Sequence, residues 1–319
     1  TDVTDGVHPS VARLVELAAR VIGLDVAGID VIADDVARPL EEQGGVVIEV
    51  NAGPGLQPHV APKRGAPRPV GEMILATLFP QDQNGRIPLV SVIGRSGATA
   101  ATKLIAHLLS RTWRMVGCAS AEGAEVGSSR IAQGDCRDAQ STHGVLLHPL
   151  TEAAVLEASE QQILTEGLAF DHCDVAVITD MGEGVKLDLE ECETDHKRSL
   201  VYRAASDVVL PSGAVVLAVG EPLGHLIIEN CPGSVILFSS VEDHPELAAH
   251  RDQGGRGVFA RLRELVLAEG SYEVSLSLAS AVEPSPSLLA AAAAAWALGI
   301  AHAEIAAGLQ SYTAIAETG

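Results

Sequence analysis

From residue 87 onward, short apolar runs alternate with helical stretches, and this alternation restricts the possible folds more than any other feature. Residues 87–93, 154–156, 175–179, 214–219 and 235–238 are apolar runs of strand length. Between them lie segments with helical spacing, such as 99–110, where Leu104, Ile105, Leu108 and Leu109 share a face. A strand that is apolar on both faces has to be buried on both, so the pattern predicts an α/β fold with a mainly parallel sheet. Aromatic residues make up only 3% of the chain. The core must therefore be Val, Leu, Ile and Ala, which suits a sheet flanked by Ala-rich helices. The apolar stretch 288–301 is shorter than the ~20 residues a membrane span needs and reads as a buried helix.

The first eighty residues have a different character. Residues 10–22 form an amphipathic pattern, with Val11, Leu14, Val15, Ala18 and Val21 on one face and Gly23 placed to end the helix. Two short apolar runs follow, around Asp30 and over residues 46–50. Residues two apart in a strand share a face, so Glu49 and Asn51 can reach one hard cation together. Antiparallel pairing of the two runs would add Asp30. Magnesium bound to phosphates takes oxygen ligands of this kind. The alternative reading is an edge strand with solvated polar residues. Residues 54–69 are rich in Pro, Gly and basic side chains and read as a loop. His59, Lys63, Arg64 and Arg68 in it could hold a carboxylate or phosphate, or simply be solvated. Residues 71–79 read as a short helix. The polar segment 80–85 marks a boundary. The expected organisation is a first domain over 1–80, a linker over 81–87 and a second domain over 88–319.

A formal net charge of −21 repels nucleic acid and anionic lipid, so neither is an expected partner. None of the five cysteines stands in a CxxC pair. Reduced thiols in a cytoplasmic protein are the expectation. His143 and His148 have no acid or Cys at catalytic spacing and read as surface or packing residues. Residues 171–174 (Asp-His-Cys-Asp) read as the turn before a strand, because adjacent strand residues face opposite sides. Gly254-Gly255-Arg256 reads as the turn of a hairpin. Ser239-Ser240 has no Gly-x-Ser-x-Gly elbow around it, which argues against a serine hydrolase.

Several phrases resemble the cyanophycin synthetases: Ala18-Ala19-Arg20-Val21-Ile22-Gly23-Leu24-Asp25, the Glu49-to-Gly55 segment, Gly167-Leu168-Ala169-Phe170-Asp171 and Ala294-Ala295-Trp296-Ala297-Leu298-Gly299. The resemblance covers almost the whole chain. It implies the C-terminal portion of an ATP-grasp fold running straight into a Mur-ligase-like, mainly parallel α/β domain. It further implies ATP and magnesium as cofactors, with Asp30, Glu49 and Asn51 holding the metal of MgATP and Glu49 and Asn51 contributing to the cofactor site. The loop with His59, Lys63, Arg64 and Arg68 would lie near the acyl acceptor. The chain begins at Thr1 with what resembles the end of an ATP-grasp module, so a fragment of a longer polypeptide is expected.

Against the family pattern, the second module departs where its chemistry would sit. A Mur-type phosphate loop reads Gly-Thr-Asn-Gly-Lys-Thr-Thr. Here the segment is Gly94-Arg95-Ser96-Gly97-Ala98-Thr99-Ala100. Gly94, Gly97 and Thr99 keep the frame, while Ala98 replaces the lysine that neutralises phosphate. The family's Glu-Thr-Ala-Arg-Gly-Gly-Ile-Leu becomes residues 157–164, in which Glu157 survives and the arginine and both glycines do not. Its Asp-His becomes Val185-Lys186, its Asn-Ala-Asp-Asp-Pro becomes residues 218–222, and its His-Gly-Gly phrase is missing from residues 283–287. The chain ends at Gly319, where an intact Mur-type ligase would continue. The expectation is a degenerate, inactive Mur-like module, as in the shorter type of cyanophycin synthetase that joins β-aspartyl-arginine dipeptides into polymer. Partners would be the cyanophycin chain or that dipeptide, and a second copy of the chain through apolar helices such as 288–301. Two alternatives stay open: a two-site enzyme adding Asp and Arg separately, and a non-catalytic scaffold or oligomerisation piece.

Overall fold

The computed structural model describes residues 1–79, 83–182, 195–278 and 283–318, without the side chains of 195–199 and 313–318. The chain divides into two compact units, Thr1–Arg86 and Ile87–Gly319.

The first unit opens with the helix Pro9–Ile22, where Pro9 sits in the first turn and the His8 side chain accepts a hydrogen bond from the Ser10 amide. Gly23 closes it in the left-handed region (φ 83°), a conformation most L-residues avoid. Val11 is buried, but Val21 is 76% exposed, so the apolar stripe does not run to the helix end as the spacing predicts. Strands β1 (Gly28–Ile32) and β2 (Val46–Asn51) pair antiparallel. The stretch 54–69 is not all loop: Gln57–Val60 makes one helical turn, and the helix Val70–Leu78 follows.

The second unit is a single sheet of eleven strands among the described residues. They are β3 (Leu89–Ile93), β4 (Val116–Ser120), β5 (Gly123–Val126), β6 (Ser129–Gln133), β7 (Ala153–Ala158), β8 (Cys173–Ile178), β9 (Val209–Ala218), β10 (Ser234–Ser239), β11 (Arg256–Arg261), β12 (Glu264–Glu269) and β13 (Tyr272–Ser277). Their order is β13-β12-β11-β10-β9-β8-β3-β7-β4-β5-β6. The pairs from β11 through to β4 are all parallel, and an antiparallel hairpin caps each end. Side chains of the central strands feed two separate cores. Val90 and Val92 point into one, Leu89 and Ile93 into the other. Both faces being covered is why these strands are continuously apolar. Ile87, placed in the linker by the sequence pattern, packs against the second core.

Helix Pro286–Ala297 forms the heart of the first core. Ser285 caps it by accepting from the Leu288 amide, and every residue from Leu288 to Ala295 is at most 6% exposed. A helix apolar all round belongs inside a protein, and alanine lets the sheet and the Ala98–Leu109 helix approach closely. The same burial takes residues 288–295 out of the stretch 288–301 expected to pair two copies of the chain, because their side chains already pack inside the unit, while Trp296, Ala297 and Leu298 are half-buried. A correction concerns Gly254-Gly255-Arg256: the two glycines lie between the helix Pro245–Asp252 and β11, and Arg256 opens β11. The hairpin turn lies between β11 and β12, where Leu262 takes φ 54° and is 95% exposed. Among the described cysteines, Cys118, Cys136 and Cys173 are buried, and burial pushes the Cys118 and Cys173 thiols up to about 12, as expected of inert core residues. No helix of the described residues is long and apolar enough to cross a membrane.

Candidate functional site

The β1–β2 ladder sets Asp30 directly across from Glu49, with a register irregularity just after Asp30. Directly opposed residues of an antiparallel pair put their side chains on one face, and Asn51, two residues beyond Glu49, shares it. Asp30 and Glu49 are exposed and Asn51 half-buried. Two like charges held opposite one another disfavour the pairing on their own. A divalent cation relieves that repulsion, and the donor set (two carboxylates and an amide oxygen) suits a hard ion such as magnesium. Among the described residues no group of three or more His, Cys, Asp and Glu is gathered for a metal, so the strand trio relies on its amide. The Ala-Gly-Pro-Gly turn folds back over the start of β1: a Cβ on Gly28 would lie 2.8 Å from Pro54 Cβ.

In the basic segment that follows, His59, Lys63 and Arg64 are exposed. Arg68 differs from the expectation of a free cation. Its guanidinium donates to Asp2 (3.1 and 3.0 Å) and to Asp5 (2.6 Å). The Thr4 hydroxyl, and then Arg68, hold the Asp2 carboxyl well below the usual carboxylate range. Arg68 is thus a clasp between the chain's first residues and this loop.

In the second unit, the loop 94–97 leaves β3 at the point where the strand order reverses, with β7 on one side and β8 on the other. Ligands of open α/β sheets collect at the carboxyl ends of strands at such points. Gly97 takes φ 72° at the entry of the Ala98–Leu109 helix. The single cation of the loop, Arg95, is turned toward the end of β7, where its Nε and Nη2 bond both oxygens of Glu160 at 2.9 and 2.8 Å. The Tyr202 hydroxyl donates to the same carboxylate. Burial first, and then that carboxylate, push the Tyr202 phenol far up. The loop amides of Arg95 and Ser96 both donate to Asp180 Oδ1, at 2.6 and 2.9 Å. A crevice of about 440 Å³ opens beside the loop, with Ser239, Ser240 and Ser287 on its wall and no Lys, Arg or His among its described lining residues.

Glu157, the retained acid of β7, is 2% exposed. It accepts from Thr99 Oγ1 (3.0 Å) and the Ala121 amide (3.1 Å), and Arg137 Nη1 stands 3.6 Å away. Burial raises its pKa despite those contacts. A carboxyl raised in the folded state stabilises folding while protonated, and that contribution is lost as pH rises through the raised value. Glu157→Gln should therefore melt higher relative to the unmodified protein at pH about 7 than at pH about 4. Thermal melts at both pH values check this, and a Tm difference independent of pH would refute it.

Other positions singled out in the sequence separate rather than converge. Asp171 pairs with His172 at 3.3 Å while Cys173 enters β8, and Asp174 accepts from the Leu89 amide at 2.8 Å. His143 is exposed, and His148 Nδ1 accepts from the Leu150 amide. Val185 and Lys186 lie outside the described residues. Ser287, where the family's His-Gly-Gly phrase is missing, donates to the Gly97 carbonyl at 3.1 Å. Sequence reading did not find Glu160, Asp180 and Tyr202 as partners of the loop.

No family model matches the chain. Comparison with curated proteins finds 35% identity over 325 residues with the cyanophycin synthetase of Synechocystis sp., covering 99% of this chain. The cyanophycin synthetase of Geminocystis herdmanii is 36% identical over 278 residues, 87% of this chain. The chain is a relative of the cyanophycin synthetases. It spans 37% and 32% of the length of these two proteins. Among solved structures, a UDP-N-acetylmuramoyl-L-alanyl-D-glutamate–2,6-diaminopimelate ligase superposes with a TM-score of 0.56 at 15% identity, covering 75% of this chain and 48% of that one. At that identity the likeness speaks for the fold, and the eleven-stranded unit has the Mur-ligase-like α/β architecture that the cyanophycin synthetase resemblance implies.

Proposed function

We propose that the chain is part of an ATP-dependent amide ligase that extends cyanophycin with β-aspartyl-arginine dipeptides. The first unit is the C-terminal portion of an ATP-grasp site and the second a Mur-like scaffold without phosphoryl transfer of its own. In this reaction a carboxylate oxygen at the growing end attacks the γ-phosphorus of ATP and ADP leaves. The amine of the incoming dipeptide then attacks the acyl carbon and phosphate leaves. Asp30, Glu49 and Asn51 would hold the magnesium of MgATP, which when bound offsets charge on the transferred phosphoryl group. His59, Lys63 and Arg64 remain available to a carboxylate of the acceptor.

The observation that carries the one-site reading is the state of Arg95. The lysine position is Ala98, and the loop's remaining cation is committed to Glu160 by two charge-assisted bonds. A triphosphate there would meet a helix N-terminus worth about half a charge and, among the described residues, no side-chain cation lining the crevice. The test is to supply a purified enzyme containing this chain with ATP, magnesium and either labelled β-aspartyl-arginine or labelled free arginine plus aspartate. Label should enter polymer from the dipeptide and not from free arginine. Robust incorporation of free arginine would mean two working sites and sink the proposal.

A further inference from the structure

The loop 94–97 is not merely short of a lysine; it already holds an anion. A glycine-framed loop leading into a helix turns successive backbone N–H groups toward one point, which is how such loops cradle phosphate oxygens. Here two of those N–H groups, from Arg95 and Ser96, converge on a single oxygen of Asp180 at 2.6 and 2.9 Å. The Ser96 hydroxyl takes the other oxygen at 2.9 Å. All three contacts of the carboxylate are with the loop, and together they reproduce what a bound oxyanion would make.

The placement follows from the sheet. Strand β8 lies parallel to β3 with Ile178 paired to Ile93, so the residues just past each strand end meet. The two segments are drawn close. The Thr179 hydroxyl donates to the Ser96 carbonyl at 2.9 Å. A Cβ on Gly94 would fall 1.9 Å from Thr179 Oγ1 and 3.0 Å from Asp180 Oδ1, so glycine alone fits there. From the other side, Ser287 bonds the Gly97 carbonyl, and a Cβ on Gly97 would stand 2.6 Å from its hydroxyl oxygen. The adjoining crevice, about 440 Å³, is of ligand size, and Asp180 is the one charged residue lining it among the described residues.

We infer that Asp180 is a built-in anion that occupies the loop and excludes phosphate from it, an autoinhibitory contact rather than a simple loss of affinity. This rests on the reading of the Mur-like unit as inactive in phosphoryl transfer and supplies the reason for it. A phosphate group entering the loop has to displace the carboxylate and then sit beside it. An occupant that fills a site most of the time lowers apparent affinity by the fraction of time the site stands open.

The experiment is a titration of the full chain with inorganic tripolyphosphate by calorimetry, on the unmodified protein, Asp180→Ala and Asp180→Asn, with near-ultraviolet circular dichroism to verify the fold. Both variants should bind at least about tenfold more tightly than the unmodified protein, and Asp180→Ala more tightly than Asp180→Asn, whose amide oxygen can still accept from the loop. Added salt should weaken the gained binding. If Asp180→Ala does not fold, the nearly isosteric Asp180→Asn decides. Folded variants that bind as weakly as the unmodified protein overturn the built-in anion while leaving the one-site reading in place. An unmodified protein that itself binds tripolyphosphate at micromolar concentration overturns both.

Discussion

Glu49→Gln, introduced into an enzyme containing this chain, is expected to reduce dipeptide polymerisation by about a hundredfold or more while leaving the fold intact. The exchange keeps the shape of the side chain and removes one of two charges on the face of the strand pair proposed to hold magnesium. Losing a metal contact that offsets transition-state charge removes several kcal/mol of stabilisation, and ~2.7 kcal/mol is already a hundredfold in rate. The fold is spared because Glu49 is exposed and faces Asp30 across the ladder. Relieving that like-charge contact should leave the melting temperature unchanged or slightly raised. Asn51→Ala should behave alike in activity. Polymer yield and thermal melting measured side by side check this, and normal turnover in either variant would remove the strand trio from the site.

Ala293→Asp is expected to abolish cooperative folding of the second unit. Ala293 is fully buried in the middle of the Pro286–Ala297 helix, within a core whose neighbours include Val216, Ile236 and Leu104. A carboxylate there would stand among apolar side chains, and a buried charge without a partner destabilises by several kcal/mol or else stays protonated in a space sized for a methyl group. A loss above about 4 kcal/mol is a large share of the 5–15 kcal/mol that holds a typical domain together. Denaturant unfolding should show no native baseline. A variant with a normal midpoint would mean that this helix is not the packed centre of the unit.

The regular parts of this architecture are the parts a sequence displays well. The parallel strands announce themselves because burial on both faces leaves them few polar positions, and the shared face of Glu49 and Asn51 is visible because a strand repeats every two residues. The β5–β6 edge hairpin escaped that reading for the same physical reason. β6 is largely exposed, and a segment such as Ser129–Gln133 carries no apolar run to mark it. Side-chain partners were the least legible. Arg68 meets Asp2 and Asp5 across 66 and 63 residues, and Arg95 meets Glu160 across 65. Composition can flag an arginine in a loop as a free cation. Only the folded path of the chain reveals that its charge is already spent.

The carboxylate that fills the loop stands 85 residues from Arg95. No local segment can form that contact. It exists only when β3 has β8 beside it, and β7 takes the other flank of β3 in the same sheet. The two edge hairpins, by contrast, close over short local turns between consecutive strands. Loop-closure entropy weighs on the distant pairing and hardly on the local ones. The loop and its carboxylate therefore form a seal on the assembled sheet, shut when the central strands are together and open in any state in which they are apart.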